Sequence, residues 1–137
     1  MKPIEFKAQN VNGVWVCGNF SILKKKIGNV GAGNYISNSA GEPFAYKVRP
    51  ETVSQFTGLT DENGKKIFEG DIVEIIEIDA FGNLDWNRLK GKVMFSEGAW
   101  LVTDSGSFAI PLWSEINEIK VIGNIHENPE LLKEEQT

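Results

Sequence analysis

The residues best equipped for chemistry sit in one stretch, QFTGLTDENGKKIFEGD at 55–71, which carries Asp61, Glu62, Glu69 and Asp71. Two carboxylates held together are the minimum equipment for general acid–base work. A calcium loop would read D-x-[DN]-x-[DN]-G with a terminal Glu, and Gly64 arrives two positions too early after Asp61. Asp61 and Glu62 also point to opposite faces of an extended chain. A tight hairpin accounts for the same residues without chemistry. Asn63-Gly64 is a strong signal for a two-residue type I′ turn, with Phe56 and Leu59 before it and Ile67 and Phe68 after it. Asp61 is suited to bond the backbone of that turn, and Gly70-Asp71 resets the chain before the next apolar run. The stretch is expected to be structural.

Other chemistry-bearing residues are sparse. Cys17 and His126 are the only residues of their kinds. They cannot build a zinc site, which draws four ligands, and a Cys-His nucleophile pair is disfavoured because Cys17 lies in the apolar run VWVCG, where a buried, inert thiol is expected. His126 is expected in a turn or at the surface. GNVGAGN at 28–34 lacks the Gly-Lys-Ser/Thr ending of a phosphate loop and the helix that would follow it. It reads as a flexible loop, and Lys24–Lys26 before it as a solvated strand or loop end. The expected catalytic, cofactor-binding and metal-ligating sets are therefore empty, with no cofactor. Trp15, Trp86, Trp100 and Trp113, with Phe81 and Phe95, have the chemistry to stack on single-stranded bases, but Trp more often fills a core. Trp86, in the polar segment GNLDWNR, is the one singled out as a contact residue.

Composition narrows the classes. A chain of 137 residues, 41% hydrophobic, is enough for one domain with a real core, or a domain and a small subdomain. A net charge of −5 opposes sequence-independent binding to phosphate backbones, so duplex DNA is not an expected partner. One cysteine makes no intrachain disulfide. The N-terminal MKPIEFKAQN lacks the apolar stretch of a signal peptide and no window reaches membrane-span length, so the cytoplasm of a bacterial host cell is expected, with no membrane partner.

The elements that must position these residues read as strands. Ile4 and Phe6 alternate with polar neighbours, Val14–Cys17 follows the Asn12-Gly13 turn signal, and Phe108, Ile110 and Leu112 share one parity, as do Ile119 and Val121. IVEIIEI at 72–78 has apolar residues on both faces and should be buried on both. Helix is confined to NPELLKEEQT, where Asn128 can cap and Pro129 suits the first turn. Breaks fall at 24–39, at Arg49-Pro50 and at 79–90. The expected fold is mainly β with little helix. It comprises an N-terminal β subdomain over 1–50, a small SH3-like barrel over 51–128 and a short C-terminal helical turn or tail over 129–137.

The stretch QFTGLTDENGKKIFEGDIV resembles the signature of the YopX family of small phage- and prophage-encoded proteins. The resemblance rests on Gln55, Thr57-Gly58-Leu59, Asp61, Asn63-Gly64-Lys65, Ile67 and Glu69-Gly70-Asp71-Ile72-Val73, with Phe56 and Phe68 in aromatic positions. VIGNIHENPELL, Val121 to Leu132, is similar to the family's closing motif, and IEFKAQNVNGVWV resembles its start more loosely. The resemblance implies a mostly β protein with no established activity and no catalytic residues to carry over. The function expected is that of a phage- or prophage-derived accessory protein, non-catalytic, that binds a protein partner; homo-oligomerisation stays open. The alternatives are a nucleic-acid-binding small β-barrel, in which Lys24–Lys26, Arg49, Lys65–Lys66 or Arg88–Lys92 gather on one face, and a hydrolase with a carboxylate-based site.

Overall fold

A computed structural model describes residues 5–37, 45–78, 84–104, 109–112 and 117–132, the side chains of 77–78, 84–88 and 117 excepted. The fold is mainly β, as the short alternating runs require. The strands are β1 (Phe6–Gln9), β2 (Trp15–Leu23), β3 (Gly33–Ser37), β4 (Ala45–Lys47), β5 (Ser54–Thr60), β6 (Lys66–Phe68), β7 (Asp71–Ile78), β8 (Leu84–Ser96), β9 (Ala99–Thr103), β10 (Ala109–Pro111) and β11 (Asn117–Asn124). Two single 3₁₀ turns, Pro50–Thr52 and Pro129–Leu132, are the helical content among the described residues. None of it is long and apolar enough to cross a membrane.

The chain divides into two compact units at Gly58/Leu59. The Arg49-Pro50 break expected to separate them is only the entry to a 3₁₀ turn. Beyond it Ser54 and Gln55 of β5 pair with Lys7 and Phe6 of β1, which keeps the start of β5 in the first unit. That unit holds antiparallel strands in the order β4-β3-β2-β1-β5, around Ala8, Ile36 and Val48, with Phe6, Val16, Phe20 and Tyr46 packed against them. Strand alternation decides which side chains reach this core. Val16 pairs with Ala8 and faces in, so Cys17 faces out and is exposed, contrary to its expected burial.

The end of β5 lies in the second unit beside β6, and the remaining strands form a five-stranded antiparallel sheet ordered β10-β9-β8-β7-β11. Its edge strands are β10 and β11, so among the described residues the sheet is open. Val73, Ile75, Val93, Val102, Leu112 and Val121 build the core on one face, with Ile67 from β6. Ile72, on the opposite parity of β7, is equally buried, so the strand is covered on both faces as its sequence implies. Residues 84–90, expected to form a break, are strand instead. Leu84 to Lys92 pair with Ile78 back to Ile72, and this ladder outweighs the polar composition of the segment. Residues 79–83 lie outside the described residues.

Both edges of this sheet are blunted. β10 carries Pro111, which offers no N–H to a further strand. The outer edge of β11 is covered by the segment that follows β5: Glu62 N–H donates to the Ile119 carbonyl at 2.9 Å, and the Asp61 carboxylate accepts Val121 N–H at 3.0 Å. A side-chain oxygen stands where a neighbouring strand's carbonyl would be.

Candidate functional site

In DENGK, Asp61 N–H donates to Lys65 O at 2.8 Å and Gly64 N–H donates to Asp61 O at 2.9 Å. Asp61 Oδ1 accepts the backbone N–H groups of Asn63 and Lys65, both at 2.9 Å. Gly64 has φ +80, while Glu97 is the only non-glycine at positive φ among the described residues, so Asn63 is not left-handed. The loop is therefore a three-residue turn with a glycine bulge, and not the two-residue type I′ turn that Asn-Gly suggests.

The same device recurs in the first unit, in NVNGV. Asn10 N–H reaches Val14 O at 2.9 Å and Gly13 N–H reaches Asn10 O at 3.0 Å. Asn10 Oδ1 accepts Asn12 and Val14 N–H, and Gly13 has φ +79. One difference separates the two turns. Asp61 has a second acceptor oxygen, and Oδ2 takes the Val121 N–H of β11. Burial alone would raise the Asp61 pKa. The N–H donors of Val121, Lys65 and Asn63, with the Lys65 charge, outweigh it and hold the carboxyl below its ordinary range. Asp71 is buried too, and its Oδ2 accepts Phe68 N–H at 2.8 Å across the corner between β6 and β7. Among the described residues, no group of three or more His, Cys, Asp or Glu is placed to hold a metal ion. These carboxylates shape backbone.

A concave feature lies in the first unit. A groove of about 290 Å³ opens on the face of β2, β3 and β4 turned away from the core. Leu23, Tyr35 and Ala45 supply its apolar floor, with the hydroxyl groups of Ser21 and Ser37 beside them. Cross-strand register puts these residues on one face of the sheet, because Ser21 lies opposite Tyr35 and, two residues along, Ser37 lies opposite Ala45. The remaining wall comes from the β2–β3 connection, where Ile27 and Val30 exchange backbone hydrogen bonds at 2.9 Å in each direction around Gly28 and Asn29. Gly28 has φ +59, which places a glycine at the first centre of a II′-like turn. The Tyr35 hydroxyl donates to Gly31 O at 2.8 Å. The glycine stretch thus begins at a hairpin tip, with Ile27 63% and Val30 45% exposed at the mouth of the groove.

Its surroundings are basic. Lys24–Lys26, exposed, occupy the segment between Leu23 and Ile27. Lys47 lies across Gly33 beside Tyr35, so close that a Cβ on Gly33 would meet its Cε at 2.9 Å. The two units differ sharply in charge: residues 1–58 hold seven Lys and Arg against three Asp and Glu, and residues 59–137 hold seven against sixteen. The total of −5 conceals a cationic first unit.

The other sequence candidates are scattered. His126 sits in the turn after β11, where Asn124 Oδ1 accepts its N–H and that of Glu127. Asn124 and Asn128 close that turn together: Asn128 N–H donates to Asn124 O at 2.8 Å and Asn128 Oδ1 accepts Asn124 N–H at 3.3 Å. Trp15 lies in β2 with Lys7 Nζ 4.8 Å from its ring centre, and Trp100 meets Phe95 edge-on at 5.0 Å and packs on the second core. The backbone of Trp86 belongs to β8; its side chain, like Trp113 and Phe81, lies outside the described residues. Composition missed the groove because its apolar residues alternate with polar ones over three strands.

The family model for YopX protein matches residues 7–133, nearly the whole chain. The chain belongs to the YopX family. No curated protein matches it. Among solved structures it is similar to the crystal structure of protein EF1440 from Enterococcus faecalis, with 24% identity, 97% of this chain and 100% of that chain covered, and a TM-score of 0.50. That likeness concerns fold alone. In this YopX protein, residues 55–73 hold the turn at 61–65, the corner between β6 and β7 and the Asp61 contact to β11.

Proposed function

We propose that this YopX protein is a small accessory protein of phage or prophage origin that acts without catalysis, as a protein-binding module in the bacterial cytoplasm. The observation that carries the reading is the groove of the first unit, which presents Ile27 and Val30 to solvent over an apolar floor. Exposed apolar surface gathered in one concavity suits a protein contact. The second unit is read as a small SH3-like β module that supports it. A carboxylate-based hydrolase has less to work with, since the oxygens of Asp61 accept backbone N–H groups. The excess of Lys and Arg in residues 1–58 favours nucleic acid as the second reading.

A photo-crosslinking residue placed at Val30 of the full chain tests the choice in a lysate of prophage-bearing bacteria. A discrete protein adduct, stronger than from the same residue at exposed Glu62, is expected. Adducts to nucleic acid, or none above the Glu62 control, would contradict the reading. Titration with duplex DNA at about 150 mM salt should give nothing tighter than the ~10⁻⁴–10⁻⁶ M of non-specific binding.

A further inference from the structure

We infer that the groove of the first unit receives an acidic segment of a partner protein, one apolar side chain seated against Leu23 and Tyr35 and flanking Asp or Glu residues held by Lys24–Lys26 and Lys47. The inference rests on the protein-binding reading and names the partner's chemistry. Size is the first argument. At about 290 Å³ the groove falls at or below the ~300–1,000 Å³ typical of small-molecule pockets, which suits a side chain better than a cofactor. Its polar groups, the Ser21 and Ser37 hydroxyls, are uncharged and fit for backbone contact.

Charge is the second argument. Three lysines lie between two residues that line the groove, and Lys47 stands beside a third. The described acidic residues of the first unit, Glu5 and Glu51, are on none of the three strands that form it. The rim is therefore cationic on a chain whose total charge is negative, and it selects acidic partners by attraction and basic ones by repulsion. Single-stranded nucleic acid fits less well. Successive bases need several stacking surfaces, and among the described residues Tyr35 is the single aromatic ring lining the groove.

Selection of short peptides from an unbiased displayed library on the immobilised full chain tests this. The enriched sequences are then titrated as fluorescent peptides against wild type, the combined Lys24→Glu, Lys25→Glu, Lys26→Glu variant, and Ile27→Ser. All four positions are exposed, so the fold should survive the changes. Enriched peptides should join large apolar residues to Asp or Glu. Charge reversal should weaken them roughly tenfold or more at low salt, with the effect shrinking as ionic strength rises, while Ile27→Ser weakens them at every salt. Peptides that are neutral or basic, or that bind the charge-reversed variant undiminished, would overturn the inference and leave the protein-binding reading standing. Self-association abolished by Ile27→Ser would place a second copy in the groove and overturn it likewise. An empty selection would overturn both, with or without binding of a fluorescent oligothymidylate.

Discussion

Asp61 does structural work in two places. Its two oxygens close the turn that follows β5 and hold the edge of β11, sixty positions further along the chain. Asp61→Asn separates the two tasks. The amide oxygen can still accept Asn63 and Lys65 N–H, as Asn10 does in the first unit, but an NH₂ group then faces the Val121 N–H. We expect a loss of roughly 2–3 kcal/mol in chemical unfolding at neutral pH, because a charge-assisted acceptor becomes a donor opposed to a donor. A loss below a few tenths would mean that the Val121 contact contributes nothing. Gly64 makes a second residue-scale test. No atom lies within 4 Å of a Cβ built there, so the cost of substitution is conformational alone. Gly64→Val should destabilise by about 1–3 kcal/mol and Gly64→Asn by clearly less, since Asn tolerates the left-handed region. Equal losses would contradict the turn geometry.

At the scale of elements, the sequence announced strands, not their exact turns or faces. Asn63-Gly64 marked a hairpin correctly, but both type I′ and bulged three-residue turns use that dipeptide, so the sequence could not choose between them. The two-residue turn with both centres at positive φ is elsewhere, at Glu97-Gly98 between β8 and β9, with φ +50 and +82. Glu carries no signal for it. Glu97→Asn should therefore stabilise the protein by about 0.5–1 kcal/mol, visible as a raised unfolding midpoint; an unchanged or lowered midpoint would show that Glu97 is not strained there. Gly91, in β8, bears on pairing instead. A Cβ there would stand 2.8 Å from the Thr103 carbonyl oxygen of β9, a backbone atom that cannot swing aside. Gly91→Ala should cost roughly 1–3 kcal/mol, and hydrogen exchange should quicken along β9 in particular.

At the scale of the whole molecule, family and fold class were legible because the signature residues make local turns whose chemistry is written in adjacent positions. The groove was not legible. Ser21, Leu23, Tyr35, Ser37 and Ala45 come together through the registers of β2, β3 and β4, and none of the three runs is conspicuous alone. Net charge misled in the same way, averaging a basic first unit with an acidic second. The acidic stretch at 55–71 serves architecture, and the part Asp61 plays in it has a direct measurement. Thermal unfolding of the full chain and of Asp61→Asn should be followed from neutral pH to strong acid. A carboxyl whose folded pKa is depressed lends stability above its unfolded value, about 4, and loses it as pH falls through the folded value. The wild-type advantage over Asp61→Asn should hold at neutral pH and shrink below about pH 4. An advantage that stays constant across that range, or is absent at neutral pH, would contradict this role of Asp61.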